Sequence, residues 1–228
     1  MPVQPKFVFR SIEVKMNMKS NLVFGIYPGG AAGSDSLTGL AVGKPDNPLR
    51  INNALDELQP PGKSFLVRSY LHYVGDGKIK NQTPGDPGQY LSGGRKLDLV
   101  LGYQSVSGDI TDWLKFIRRQ ISYYGDQLAK IQVAEEPNLR NVPYVDGDTP
   151  NVQAAVIQGV ITAREEIAGR GLKTAVGFNG VPTFSRENKF WEETGKLANE
   201  KFHESLDYVG LDFFPDVFRP VPQEDLEN

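Results

Sequence analysis

The stretch IQVAEEPNL, residues 131–139, runs from apolar and small side chains into two adjacent carboxylates, Glu135 and Glu136, and then at once into a proline. A segment that otherwise reads as buried therefore ends in two charges. Ionised carboxylates packed side by side repel one another and lose hydration, so one of the pair takes up a proton more readily than a free side chain does. Such a pair at a strand end points to chemistry more than to packing. The bland alternatives, a helix cap or a solvated loop pair, sit less well with the strand-like run before Glu135 and the turn expected at Pro137.

Composition removes several classes. With 228 residues the chain can bury a sizeable core. A net charge of −3 with no dense lysine or arginine cluster argues against a nucleic-acid partner. The absence of cysteine excludes thiol catalysis, disulfides and Cys-ligated zinc. No apolar run approaches the ~20 residues of a membrane span, and MPVQPKFVFRSIEVKMNMKS (1–20) lacks the apolar core of a signal peptide. A cytoplasmic protein without a membrane partner is expected, a secreted one with a removed leader being the alternative. Residues 1–20 read as an N-terminal extension ahead of a domain over residues 21–228.

Short apolar runs alternate with helical patterns. The runs are NLVFGIY (21–27), SFLVRSYLHY (64–73), LDLVLGY (97–103), LAKIQVAEE (128–136), KTAVGF (173–178) and LDYVGLDFF (206–214). Helical spacing of Ile110, Trp113, Leu114, Ile117, Ile121 and Tyr124 predicts a helix capped by Asp109 and closed by Gly125. Val152, Val156, Val160, Ala163 and Ile167 predict another, starting at Thr149 and Pro150 and stopping at Gly169 or Gly171. Phe190, Thr194, Leu197 and Phe202, preceded by Ser185, predict a third, and Leu49 to Leu58 a shorter fourth. Between the second and third runs lies GDGKIKNQTPGDPGQYLSGG (75–94), too rich in Gly and Pro for more than a short helix.

Strand and helix in alternation predict parallel pairing through right-handed crossovers, which an open doubly wound sheet and a closed barrel both satisfy. The strand faces separate the two. Five runs carry a small residue followed two positions on by a polar one: Gly25 and Tyr27, Gly102 and Gln104, Ala134 and Glu136, Gly177 and Asn179, Gly210 and Asp212. The opposite face is bulky, as in Leu97, Leu99 and Leu101, or Ile131 and Val133, or Val209, Leu211 and Phe213. Side chains alternate across a strand, so a crowded interior with polar groups at the C-terminal rim gives this pattern directly. The expected fold is α/β, a TIM-type (β/α)8 barrel. The runs recur about every 37 residues, whereas eight units typically need ~250 residues in all, so about six βα units of an incomplete barrel are expected, stopping before a seventh strand. Its open edges make self-association an expectation.

A fourth strand ending in small residue, polar residue, Glu, Pro resembles the Asn-Glu-Pro signature of clan A glycoside hydrolases, retaining glycosidases on βα barrels. Pro137 and Asn138 complete the Glu-Pro-Asn found in many members, Arg68 in SFLVRSY matches an arginine on their second strand, and LDYVGLDFFP resembles their sixth strand. The likeness covers most of residues 21–218. It implies Glu136 as general acid and base, an oligo- or polysaccharide substrate, no cofactor and no metal. Residues expected to bind substrate are Arg68, His72, Glu135, Asn138, Asn179 and Asp212, with Tyr27, Tyr103 and Phe214 as platforms for a sugar ring. Arg68 has a structural alternative, neutralising Glu135 or Glu136. Trp113 and Trp191 read as core, and His203 as structural.

The chain departs from that pattern twice. Glu135 replaces the Asn that hydrogen-bonds the sugar 2-hydroxyl, and an ionised carboxylate accepts but does not donate. The nucleophilic Glu of the family ends a seventh strand, which this sequence does not reach, although retaining hydrolysis needs two carboxyl groups ~5–5.5 Å apart. A catalytically inactive barrel that binds glycan or a protein partner is therefore the second reading. A metal-dependent isomerase or aldolase using Glu136 and Asp212 is the third, with 2 histidines in the chain arguing against it.

Overall fold

The computed structural model describes residues 22–29, 34–36, 39–40, 45–142, 145–182 and 189–213. The N-terminal extension, Ser185 and Phe214 lie outside the described residues. In chain order the elements begin with β1 (Phe24–Ile26), the antiparallel pair β2 (Ser34–Ser36) and β3 (Gly39–Leu40), α1 (Pro48–Leu58), β4 (Phe65–Gly75), β5 (Lys78–Thr83) and β6 (Lys96–Tyr103). They continue with α2 (Ile110–Tyr124), β7 (Leu128–Val133), α3 (Val152–Gly169), β8 (Ala175–Gly180), α4 (Phe190–Leu197), α5 (Glu200–Ser205) and β9 (Tyr208–Leu211). Each of the six apolar runs holds a strand. They pair in the order β1-β4-β6-β7-β8-β9, all parallel, in a curled half-barrel sheet, with β5 added antiparallel to β4. The chain is mixed α/β.

Local chemistry sets the helix ends. Asp109 accepts from the N–H groups of Thr111 and Asp112 to start α2, and Gly125, at φ 54°, ends it. The start of α3 differs from the expectation at Thr149 and Pro150. Asn151 precedes the helix at φ 63°, a left-handed conformation that Asn tolerates, and its side-chain amide donates to the Gly108 carbonyl. The third predicted helix is two. Ala198 is extended, and Asn199 then accepts from the Phe202 N–H at 2.9 Å to begin α5.

The crossover from β4 to β6 has no α-helix. It is made by β5 and two 3₁₀ turns, Pro87–Tyr90 and Ser92–Gly94. Arg95, only 2% exposed, holds it to α1 by donating to the Tyr90 carbonyl, Asp56, Asn52 and Ser92 at 2.6–3.1 Å. A planar cation with five donors can tie several segments where no helix face does so.

Helices cover one side of the sheet. Val67, Leu71 and Tyr73 of β4, Leu97, Leu99, Leu101 and Tyr103 of β6, Ile131 and Val133 of β7, and Val176 and Phe178 of β8 are all buried. Trp113 of α2 sits at the centre, fully buried, against Tyr73, Tyr103 and Phe116, with its indole N–H on the Ala155 carbonyl of α3 at 3.1 Å. Gly159 lets α3 approach closely, since a Cβ there would lie 2.6 Å from Val133. At the sheet edges the bulky face is not covered as expected: Phe24 and Ile26 of β1, and Val209, Leu211 and Phe213 at β9, are exposed. Trp113→Ala should cost about 3–5 kcal/mol of stability in urea unfolding, as expected for an aromatic at the heart of a core; a loss under 1 kcal/mol would place it outside the core.

Candidate functional site

The concave, helix-free side of the sheet carries the small and polar residues. Register aligns Arg68 with Asp98, Lys130 and Ala175 across β4, β6, β7 and β8. The next row is Tyr70, Val100, Gln132, Gly177 and Tyr208, and beyond it His72 pairs with Gly102, and Asn179 with Gly210. The glycines are there because their neighbours are large. A Cβ on Gly102 would lie 2.5 Å from the His72 ring, and one on Gly177 would lie 2.3 Å from the Tyr208 carbonyl and 2.6 Å from its ring. Small residues thus let long polar side chains cross the concave face.

Those side chains form a connected network. Arg68 donates to the Tyr70 hydroxyl (2.8 Å), Asp98 (3.0 Å) and Gln132 (2.9 Å). Gln132 in turn donates to Glu135 Oε2 at 2.5 Å. Lys130 lies 3.8 Å from Asp98 and 4.1 Å above the Tyr208 ring. Arg68 also approaches Glu135 Oε2, at 3.9 Å.

Past β7 the backbone turns sharply. Ala134 (φ 70°) and Glu136 (φ 43°) both adopt the left-handed conformation, which residues with a Cβ enter at a cost. Two side chains far away in sequence hold the turn. One oxygen of Asp146, a fully buried residue, accepts from the N–H groups of Tyr103 and Glu135, each at 2.7 Å, while its own N–H donates to the Glu135 carbonyl at 3.0 Å. Asn179 accepts from the Glu136 N–H at 2.7 Å. The strained turn is thereby fixed between β6, β8 and the loop that precedes α3, and both glutamates are aimed to the same side.

Three carboxyl groups meet there. Oxygens of Glu135, Glu136 and Asp212 all lie within 4.8 Å of one another. The Asn179 amide donates to Asp212 and, at 3.4 Å, to Glu135. Burial raises the Glu136 pKa to about 7, with the charge of Asp212 and a hydrogen bond to it adding and Arg68 opposing. Burial also lifts Glu135 well above the ordinary range; Arg68 opposes, and Asp212, Glu136 and Asp146 reinforce. Asp146 reaches about 7, again through burial, against the lowering effect of its two backbone donors. His72 is pushed down to about 4 by burial and by Lys80, and its Nδ1 has no hydrogen-bond partner. A trio of oxygens at this spacing could face a divalent cation, but the protons that burial keeps on Glu135 and Glu136 and the nearby Arg68 guanidinium already offset the charge of the cluster.

Arg68, Glu135, Glu136, Asn179 and Asp212 therefore come together as the sequence led us to expect. Tyr27 stands edge-on to Tyr70, 5.2 Å between ring centres, and Tyr70 stacks beside His72 at 6.5 Å, giving an aromatic row next to Arg68. Tyr103 does not belong to the site. It lies on the helix-covered side, fully buried between Tyr73 and Trp113, and cannot serve as a sugar platform. Asn138 is also turned inward: its amide donates to the Val181 carbonyl at 2.7 Å and accepts from the Val181 N–H at 2.9 Å. Asn179 is fully buried and engaged at both ends, so it positions carboxyl groups rather than touching a ligand. Phe214 lies outside the described residues. Among the described residues no helix is long and apolar enough to cross a membrane. Comparison with protein-family models, curated proteins and solved structures found no match.

Sequence reading missed Asp98, Gln132, Asp146 and the role of Tyr70. Asp98 and Gln132 carried a signal, single polar residues inside apolar strands on the concave parity. Asp146 carried none, because nothing local shows that its loop folds back onto β6 and β7. Asp146→Ala leaves the Tyr103 and Glu135 N–H groups buried without an acceptor, and should cost about 2–4 kcal/mol in urea unfolding; an unchanged midpoint would show that the loop does not hold the turn.

The raised carboxyl groups also set a pH dependence. Between about pH 4.5 and 7 the folded chain holds protons on them that the unfolded chain has released, so their stabilisation is present at low pH and is lost as pH rises. His72 acts in the opposite sense, remaining neutral when folded and costing stability as pH falls below about 6.5. Glu136→Gln removes one raised group and leaves His72 alone. Its melting temperature should fall less between pH 5 and 8 than that of the wild type in calorimetry; parallel curves would mean that Glu136 titrates normally.

Proposed function

We propose that the protein is a carbohydrate-active barrel of the TIM type, similar to retaining glycoside hydrolases, in which Glu136 is the general acid and base. The observation that carries this reading is the placement of Glu136: it ends the fourth of six parallel strands, on the concave side, half-buried, with a proton affinity near neutrality. A proton donor acting near pH 7 needs that affinity, so that it is charged with a proton before the reaction and can release it during the reaction. Arg68 and Tyr70 lie beside the carboxyl cluster, and Tyr27 stands edge-on to Tyr70, a mix of ring faces and fixed donors that a polyhydroxylated ligand requires.

Asp212 is not read as the attacking group. One of its oxygens lies within 4.8 Å of a Glu136 oxygen, closer than the ~5–5.5 Å that separates the two carboxyl groups of a retaining pair. No second carboxylate is assigned as nucleophile among the described residues. That observation favours one alternative, a barrel that binds glycan without cleaving it.

Hydrolysis of unactivated oligosaccharides and of aryl glycosides, measured beside binding by titration calorimetry, separates the two. For the hydrolase, Glu136→Gln should lower turnover of unactivated substrates by at least about a hundredfold while sparing those with good leaving groups, as loss of a general acid does. Equal turnover by wild type and variant removes Glu136 from the chemistry. Saccharide affinity with no turnover by the wild type favours the binding protein, and neither affinity nor turnover ends both readings.

A further inference from the structure

Glu135 is the least solvated acid of the cluster, 8% exposed, and among the described residues the cation it approaches, Arg68, is shared with another acid. Arg68 of β4 is the nearest positive charge among the described residues, but it donates to Tyr70 at 2.8 Å, Gln132 at 2.9 Å and Asp98 at 3.0 Å, with Glu135 farther off at 3.9 Å. Lys130 of β7 is likewise turned to Asp98. The other groups around Glu135 are acidic or neutral: Glu136 on the same turn, Asp212 beyond β9, Asp146 from the loop before α3, and the phenols of Tyr70 and Tyr208. With Asp98 counted, five carboxyl groups thus meet two cations, Arg68 and Lys130, that both pair with Asp98. A further buried negative charge would be uncompensated there, and protonation is the cheaper state.

The hydrogen bonds divide the two oxygens. Gln132 and Asn179 both donate to Oε2, and the Arg68 guanidinium also lies on that side, while Oε1 has no hydrogen-bond partner among the described residues. We propose that Glu135 is held as a neutral carboxylic acid, with Oε2 as the carbonyl oxygen bound by the protein and Oε1 carrying the proton as a hydrogen-bond donor to a hydroxyl oxygen of a neutral saccharide. The ligand in this statement rests on the reading above; the protonation state does not. A carboxylic acid held in this way offers one acceptor and one donor, as a side-chain amide does, and so does the work of an amide at a position where the sequence has Glu. The shift of its proton affinity well above the ordinary carboxyl range has the matching sign.

Infrared difference spectra at pH 8, where Glu136 is mostly ionised, test the first half. The wild type and Glu136→Gln should show the carbonyl stretch of a protonated carboxylic acid, and Glu135→Gln should lose it. A wild type minus Glu135→Gln spectrum with carboxylate bands alone overturns the proposal. Should Glu135→Gln not fold, the ¹³C carboxyl shift of Glu135 in the wild type decides: a protonated shift at pH 7 upholds it and an ionised shift overturns it. Calorimetric titration with neutral hexasaccharides of β-1,4 and α-1,4 linkage tests the second half. Glu135→Gln should keep the affinity within about threefold, since its amide still donates, and Glu135→Ala should lose about tenfold or more. Equal affinity of all three proteins overturns the donor role. A protonated acid together with no saccharide affinity in any protein also overturns the donor role, and removes the saccharide reading while leaving the neutral acid standing.

Discussion

The left-handed turn at Ala134 to Glu136 is the constraint on which the site depends. A strand that continued straight would send Glu135 and Glu136 to opposite faces of the sheet, because side chains alternate along it. The turn breaks the alternation and brings both carboxyl groups to the Asp212 side. Such backbone is costly for residues with a Cβ, so it persists only where its surroundings over-determine it. Here the surroundings are an aspartate and an asparagine whose acceptors saturate the N–H groups of Glu135 and Glu136. Conformational cost at the strand end is balanced by hydrogen bonds from β8 and from the loop before α3.

Electrostatics follows from that geometry. Once three carboxyl groups are forced within 4.8 Å and partly withdrawn from water, they cannot all be ionised near neutral pH. Among the described residues no cation is given over to this cluster alone. Arg68 and Lys130 lie deeper on the concave face and attend to Asp98. Protons make up the difference, so the proton-donating capacity of the cluster is a direct result of how the turn is built, and Glu136, half-buried like Asp212, is open to a ligand whereas Glu135 is buried.

The strands were legible in the sequence because each pairs a period-2 pattern with apolar content, and the small residues Gly102, Gly177 and Gly210 marked the concave face on β6, β8 and β9. The reason is now physical: Gly102 and Gly177 are small because His72 and Tyr208 lie over them. The residue type at a strand end, however, does not give its direction. Tyr103 follows the parity of Leu97, Leu99 and Leu101, which places it under the helices, and that parity was readable even though its position near the strand end suggested a rim role. Asn138 and Asn179 looked like ligand contacts because polar residues at strand ends often are, yet their partners are backbone groups and carboxyl groups about 43 residues away. Long-range pairing of that kind leaves no trace in local pattern. The loss of the helix between β4 and β6 was foreseen from Gly and Pro content, but not that a buried arginine would replace it.

The two departures from the glycosidase pattern do not carry equal physical weight. An acid in place of an amide at position 135 is a difference of charge only while the acid is ionised; kept protonated by burial and by its acidic neighbours, it presents a donor beside an acceptor, as an amide does, with one donor fewer. The attacking group has no such remedy, because a nucleophile must be ionised and must approach the anomeric carbon from the side opposite the acid. No carboxylate is assigned to that role among the described residues. Within the proposed saccharide reading, the choice between cleavage and binding therefore turns on a second carboxylate and not on Glu135, and the proton affinity of Glu136 serves either outcome, as an acid in the first case and as a neutral donor in the second.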